Sequence, residues 1–273
     1  MLKQRILTAL LLLPLVIAAI FALPAPGFAL FLGCILLGGS WEYQRLAGLS
    51  GGTAAYVLII VQVIILALLY WFKPYWNSTI MMDLVVSCVI WLLLFIRLFK
   101  YRVNAQVTRG YRWLSSLTAI LSITIAWFCL NWIHLQSDGT WLILLLFLTV
   151  WAADVGAYFA GKTFGKTKLV AHISPGKTRA GLVGGLVLAP VVALFAANLM
   201  PLGHIEAINL IFISLVAALV SVGGDLMISL HKRTSGFKDS GNLLPGHGGI
   251  LDRLDSLLVA APFFALGMLV MGF

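Results

Sequence analysis

Nine apolar runs, each long enough to thread a bilayer and joined by short polar connections, leave this chain few ways to fold. A helix needs about 20 mostly apolar residues to cross the hydrocarbon layer. Inside that layer the backbone must satisfy its own hydrogen bonds, which helices do and open sheet edges cannot. The runs are Ile6 to Leu23, Gly27 to Leu46, Ala54 to Phe72, Ile80 to Phe99, Trp113 to Ile133, Thr140 to Gly161, Gly181 to Met200, Ala207 to Leu230 and Ser256 to Met271. The expected fold class is an all-α integral membrane protein: a polytopic helical bundle of about nine transmembrane helices, forming one membrane domain over residues 1–273. The first run follows Lys3 and Arg5, as a signal peptide would, yet its apolar stretch exceeds the usual core of about 7–15 residues, so it reads as a span.

A mean hydropathy of +1.05, with 62% hydrophobic and 10% charged residues, excludes a soluble domain. The net charge of +9 would suit nucleic acid only if a long polar stretch could form a basic face, and none exists. Membrane-surface loops explain it better. With the N-terminus cytoplasmic and all nine runs crossing, every one of the 18 lysines and arginines except Lys73 falls on the inner side, as the positive-inside rule requires. The basic loop from Lys100 to Arg112 reads as a topology determinant touching anionic headgroups. Cys34, Cys88 and Cys129 lie within apolar runs without metal-ligand spacing and read as packing residues.

Against this background the stretch Ser229 to Asp255 is conspicuous, since it holds Asp239, Asp252 and Asp255 of only nine acidic residues in the chain, with Lys232, Arg233, Lys238 and Arg253. Its glycines, among them Gly248 and Gly249, let backbone N–H groups approach a bound phosphate. Asp252 and Asp255 are three apart where an apolar run begins, so a helix starting there carries both on one face. Like charges so placed call for a cation, and carboxylate oxygens suit Mg²⁺. Two further acids, Asp154 in WAADVGAYFAG and Asp225 in SVGGDLMISL, lie inside spans. An aspartate there costs about 2.5–3.5 kcal/mol and normally has a polar partner and a function. Both are near the inner helix ends, so four carboxylates are expected to converge on one cavity. In HISPGKTRAG, Ser174, Lys177 and Thr178 precede a span, where hydroxyls, a positive charge and free helix N–H groups could receive phosphate oxygens. It is not a Walker A loop. Of the histidines, His134 and His204 fall in outer loops, and His172 and His231 flank the basic elements.

Read as S-x-x-K-R-x4-K-D-x-G-x2-L-P-x-H-G-G-I-x-D-R-L-D, the stretch resembles the signature of the phosphatidate cytidylyltransferases, also called CDP-diacylglycerol synthases. WxxDxGAYxxG and S-P-x-K-T resemble two upstream segments of that family, so the likeness covers Trp151 to Asp255. His231 stands where the family usually has an apolar residue, Gly176 where many members have a second lysine, and Arg179 where an aromatic is common. The resemblance implies the reaction CTP + phosphatidate → CDP-diacylglycerol + pyrophosphate, with Mg²⁺ and K⁺ as a candidate second cation. It implies metal-binding roles for Asp225, Asp252 and Asp255, and a weaker one for Asp239. Phosphate-neutralising roles fall to Lys177, Lys232, Arg233, Lys238 and Arg253, and His247 in PGHGG becomes a hydrogen-bonding candidate. A homodimer and a place in the bacterial inner membrane, with the site facing the cytoplasm, belong to the same expectation. The alternatives are a CTP-using polyprenol or phytol kinase, a transporter using Asp154 and Asp225 as an ion path, and a membrane scaffold.

Overall fold

The computed structural model describes residues 2–49, 51–101, 106–202, 206–244, 246 and 248–272, with the side chains of all of these except 2–7 and 9. Helices carry the chain: α1 Leu2–Ala22, α2 Ala25–Leu46, α3 Thr53–Trp71, α4 Trp76–Lys100, α5 Arg109–His134, α6 Gly139–Phe164, α7 Arg179–Leu199, α8 Ala207–Thr234 and α9 Leu251–Val270. Among the described residues, α2 to α9 are long and apolar enough to cross a membrane, whereas α1 offers the shorter apolar segment Leu10–Ala22. The polytopic helical bundle is as expected, with eight such helices where about nine were expected.

Of the boundaries that differ from the apolar pattern, two do so because polar caps lengthen the helices. Helix α5 starts at Arg109, ahead of its apolar run, where the Thr108 hydroxyl accepts the Tyr111 N–H at 3.1 Å. Helix α9 starts at Leu251, five residues before the expected Ser256, because a carboxylate from another helix receives its first N–H groups. No periodicity marks the hairpin found between α6 and α7. There β1, Lys168–Val170, pairs antiparallel with β2, Ser174–Thr178, in the register Val170 to Ser174 and Lys168 to Thr178.

The core is threaded by large side chains such as Trp91, Tyr43, Phe264 and Leu36, while Leu30, Ile60, Leu93, Phe195 and Ile208 project outward. An outer surface this apolar is stable only against hydrocarbon. Helices α6 and α7 make the tightest approach. A Cβ on Gly156 would stand 2.5 Å from the Gly184 carbonyl oxygen, so glycine on both sides is what lets the two backbones touch. Cys88 and Cys129 are buried as expected, but Cys34 is exposed on the outer side of α2.

The connections alternate between two ends of the bundle. At one end the α2–α3 connection meets α5, where Gly48 packs on Val107 and Arg112. At the same end Arg45 lies over Phe237 at 4.3 Å, and the Arg233 Nε–H donates to the Ile173 carbonyl at 3.2 Å. The α4–α5, α6–α7 and α8–α9 connections therefore gather with α2–α3, and nearly all the described basic residues gather with them. At the other end His134 stacks on Phe28 with ring centres 4.1 Å apart.

Candidate active site at the basic end of the bundle

Helices α6, α7 and α8 and the hairpin enclose a cleft of about 210 Å³ whose walls include Asp154, Tyr158, Lys177, Thr178, Leu182 and Asp225. Strand β2 contributes Lys177 to its wall. The ammonium lies 2.7 Å from Asp225 Oδ2 and donates also to the Val222 carbonyl at 3.3 Å. The other Asp225 oxygen accepts the Ser229 hydroxyl at 3.1 Å, one helical turn on.

Gly224 brings α9 against α8, because any Cβ there would run into the Asp255 carbonyl. That approach sets Asp225 within Coulombic reach of Asp255 on one side and of Asp154 on the other. Asp255 is buried and accepts the Ser256 N–H at 2.8 Å. Lys177 and Lys232 both act on it through space. The ammonium of Lys177, paired with Asp225, offsets the charge of one of these acids.

Of the four acids expected in this cavity, Asp154 and Asp225 line it, Asp255 is buried outside its lining, and Asp252 is drawn elsewhere. Asp252 Oδ1 lies 2.6 Å from Lys232 Nζ, and Oδ2 accepts the N–H groups of Ser240 at 2.9 Å and Gly249 at 3.1 Å. Helix α9 does place Asp252 and Asp255 in its first two turns. Asp252 is nevertheless turned into the α8–α9 loop, and among the described residues no three His, Cys, Asp or Glu side chains stand together as a metal site. The expected cluster of Asp225, Asp252 and Asp255 is thus not assembled. What remains near the cleft is a donor set of carboxylate and hydroxyl oxygens, which suits a hard cation such as Mg²⁺ in kind. A cation reaching Asp225 Oδ2 would take the place of Lys177.

One expected phosphate donor is also committed, and a second is engaged only as an acceptor. The Gly249 N–H goes to Asp252. The Thr178 hydroxyl accepts the Gly181 N–H at 3.0 Å as the cap of α7. Gly248, at φ +81°, turns the loop, and its carbonyl accepts the Leu244 N–H at 3.0 Å. Ser174 is half-buried on β2, while Arg233, Lys238, Asp239 and Arg253 are exposed. Arg253 acts through space on Asp154. His247 lies outside the described residues. His231 is fully buried rather than solvated, with Nδ1 donating to the Met227 carbonyl at 2.7 Å and the Tyr43 hydroxyl 3.3 Å away. Its place inside the bundle accounts for the apolar residue usual at that position.

Sequence reasoning missed Glu42 of α2. It is 2% exposed and accepts the Ser240 hydroxyl at 2.8 Å and the N–H groups of Ile250 at 3.1 Å and Leu251 at 2.9 Å. The signal was available: Glu42 is an acid inside the run Gly27 to Leu46, and the insertion cost that singled out Asp154 and Asp225 applies to it equally.

The cytidylyltransferase family model matches residues 3–271. Among curated relatives, the phosphatidate cytidylyltransferase of Pseudomonas aeruginosa is 38% identical over 267 residues, covering 97% of this chain and 96% of its own length. That of Haemophilus influenzae is 36% identical over 282 residues, covering 97% and 98%. A Rickettsia felis protein of the same name is 41% identical over 152 residues, covering 54% of this chain and 66% of its own length.

Proposed function

The chain belongs to the cytidylyltransferase family, and from that membership we propose that it transfers CMP from CTP to phosphatidate, giving CDP-diacylglycerol and pyrophosphate. The observation that carries this reading is the cleft at the basic end, where Lys177 lies among Asp154, Asp225 and apolar lining residues. A lipid headgroup with its chains in the bilayer suits such a cleft, and a nucleotide from the cytoplasm suits the exposed basic residues around it. The N-terminus and the site accordingly face the cytoplasm, across the inner membrane of a bacterium.

The phosphatidate phosphate is already ionised, so no side chain serves as nucleophile. One of its oxygens forms a bond to the α-phosphorus of CTP while the bond from that phosphorus to the bridging oxygen of the β-phosphate breaks. The electron pair leaves on pyrophosphate. The barrier is the meeting of anions and the charge growing on the leaving group, which fixed cations oppose. Lys177 receives the lipid phosphate, while Lys232, Arg233, Lys238 and Arg253 neutralise the nucleotide and the departing pyrophosphate. Asp225 and Asp255 would hold Mg²⁺. When bound, the ion supplies charge neutralisation at the phosphates. Asp252 fixes Lys232 and the loop, and Asp239 stands at the exposed edge of that loop.

Purified protein given phosphatidate and α-labelled CTP, with and without Mg²⁺, tests the reading by both products. Labelled CDP-lipid with stoichiometric pyrophosphate is expected. Release of CDP with a phosphorylated lipid alcohol would instead identify a kinase and overturn the proposal.

A further inference from the structure

We propose that Glu42 is the positioning residue for this reaction: a buried carboxylate on α2 that holds both ends of the loop from Ser240 to Leu251 in the geometry the substrates require. The inference rests on the functional reading above for its kinetic consequence, but the geometry stands by itself. Glu42 Oε2 takes the Ser240 hydroxyl at the start of the loop and the Leu251 N–H at its end, and Oε1 takes the Ile250 N–H. Asp252 grips nearly the same two points, through the N–H groups of Ser240 and Gly249. Two carboxylates thus pin one loop, and one of them also fixes Lys232.

A buried carboxylate normally needs a counter-charge. The ion pairs of Lys177 with Asp225 and of Lys232 with Asp252 do not include Glu42. Its charge is met by N–H and O–H donors and by the positive end of the α9 dipole. The loop is shaped around it: a Cβ on Gly241 or on Gly249 would collide with the Glu42 carboxylate. Glutamine cannot replace it. Donors approach both oxygens, so either orientation of an amide points its NH₂ at a donor. Lys238 and Asp239 immediately precede Ser240, and Asp252 follows Leu251, so slack in this clamp moves charged groups on both sides of the loop.

The test uses the full-length protein in membranes, with Cys34→Ser and a reporter Leu243→Cys at the exposed loop tip as the reference. Adding Glu42→Gln is expected to lower kcat at least tenfold, raise the KM for CTP, and speed maleimide labelling of the reporter at least tenfold, with the thermal unfolding midpoint of the bundle lowered by no more than the loss of one helix cap lowers it. Gly249→Ala is expected to give the same pattern. The double variant should be no worse than the worse single one, because both release one clamp. Reference-like labelling and kcat in Glu42→Gln would overturn the proposal. So would a lowered midpoint with normal specific activity in the folded fraction, which would make Glu42 a stability residue only. If the reference protein makes no CDP-lipid, the functional reading fails, and the labelling comparison still decides the clamp.

Discussion

The acids of the cleft divide by what they touch, and their substitutions should divide likewise. Asp225→Asn and Asp255→Asn are expected to lower CDP-lipid formation by on the order of 100-fold or more, the scale of losing an electrostatic contact to the reacting groups, with membrane insertion intact in both. Asp252→Asn should lower activity and also loosen the loop, because its oxygens hold Lys232, Ser240 and Gly249. Labelling at the loop tip separates the two classes. The acids and bases were legible in the sequence because charge is rare in this chain and each charged residue stands out against apolar neighbours. Their pairing was not legible. Nothing in residue spacing says that Asp252 turns toward Lys232 while Asp255, one turn later, faces Asp225 across the α8–α9 contact made by Gly224. Glu42 escaped because it lies far from the motif along the chain, in a helix that otherwise reads as a plain span.

Among the elements, the α6–α7 pair positions the cleft, and its packing depends on small residues. Gly184→Leu should force α7 off Gly156 and Ala160. Overpacking of this kind costs about 1–3 kcal/mol, read as a lower thermal midpoint in detergent together with loss of turnover. Thr178→Val removes the cap of α7 and should cost about 1 kcal/mol, measured the same way. The hairpin that carries Lys177 was invisible to periodicity. Five residues holding Pro175 and Gly176 form no alternating pattern, and the strand exists because Lys168 and Val170 pair with it and Arg179 donates its N–H to the Thr167 carbonyl at 3.0 Å. The helices were plain to read because apolar length alone requires them. Their starts were not, since a single side-chain cap moved the start of α5 by a turn.

For the whole molecule, the alternation of connections between a basic end and a nearly uncharged end predicts one orientation. A cysteine at Asn242 should be labelled only from the cytoplasmic side and one at Leu135 only from the opposite side, both scored with a membrane-impermeant reagent on intact cells and on inverted vesicles. Chelation of divalent ions should stop turnover and restoring Mg²⁺ should recover it, read as CDP-lipid and pyrophosphate together. The charge pattern made this architecture readable, because a basic loop on the wrong side of the membrane is disfavoured whatever the helices do.

The contacts of Glu42 join residues 198 to 209 positions apart, and this separation has a consequence for biogenesis. During synthesis α2 enters the bilayer long before the groups that neutralise its carboxylate have left the ribosome. An unfinished chain therefore carries an unsatisfied acid near the membrane surface and a site with no fixed loop. A chain that stops before α9 lacks the Ile250 and Leu251 donors that satisfy Glu42, and with them the fixed end of the loop.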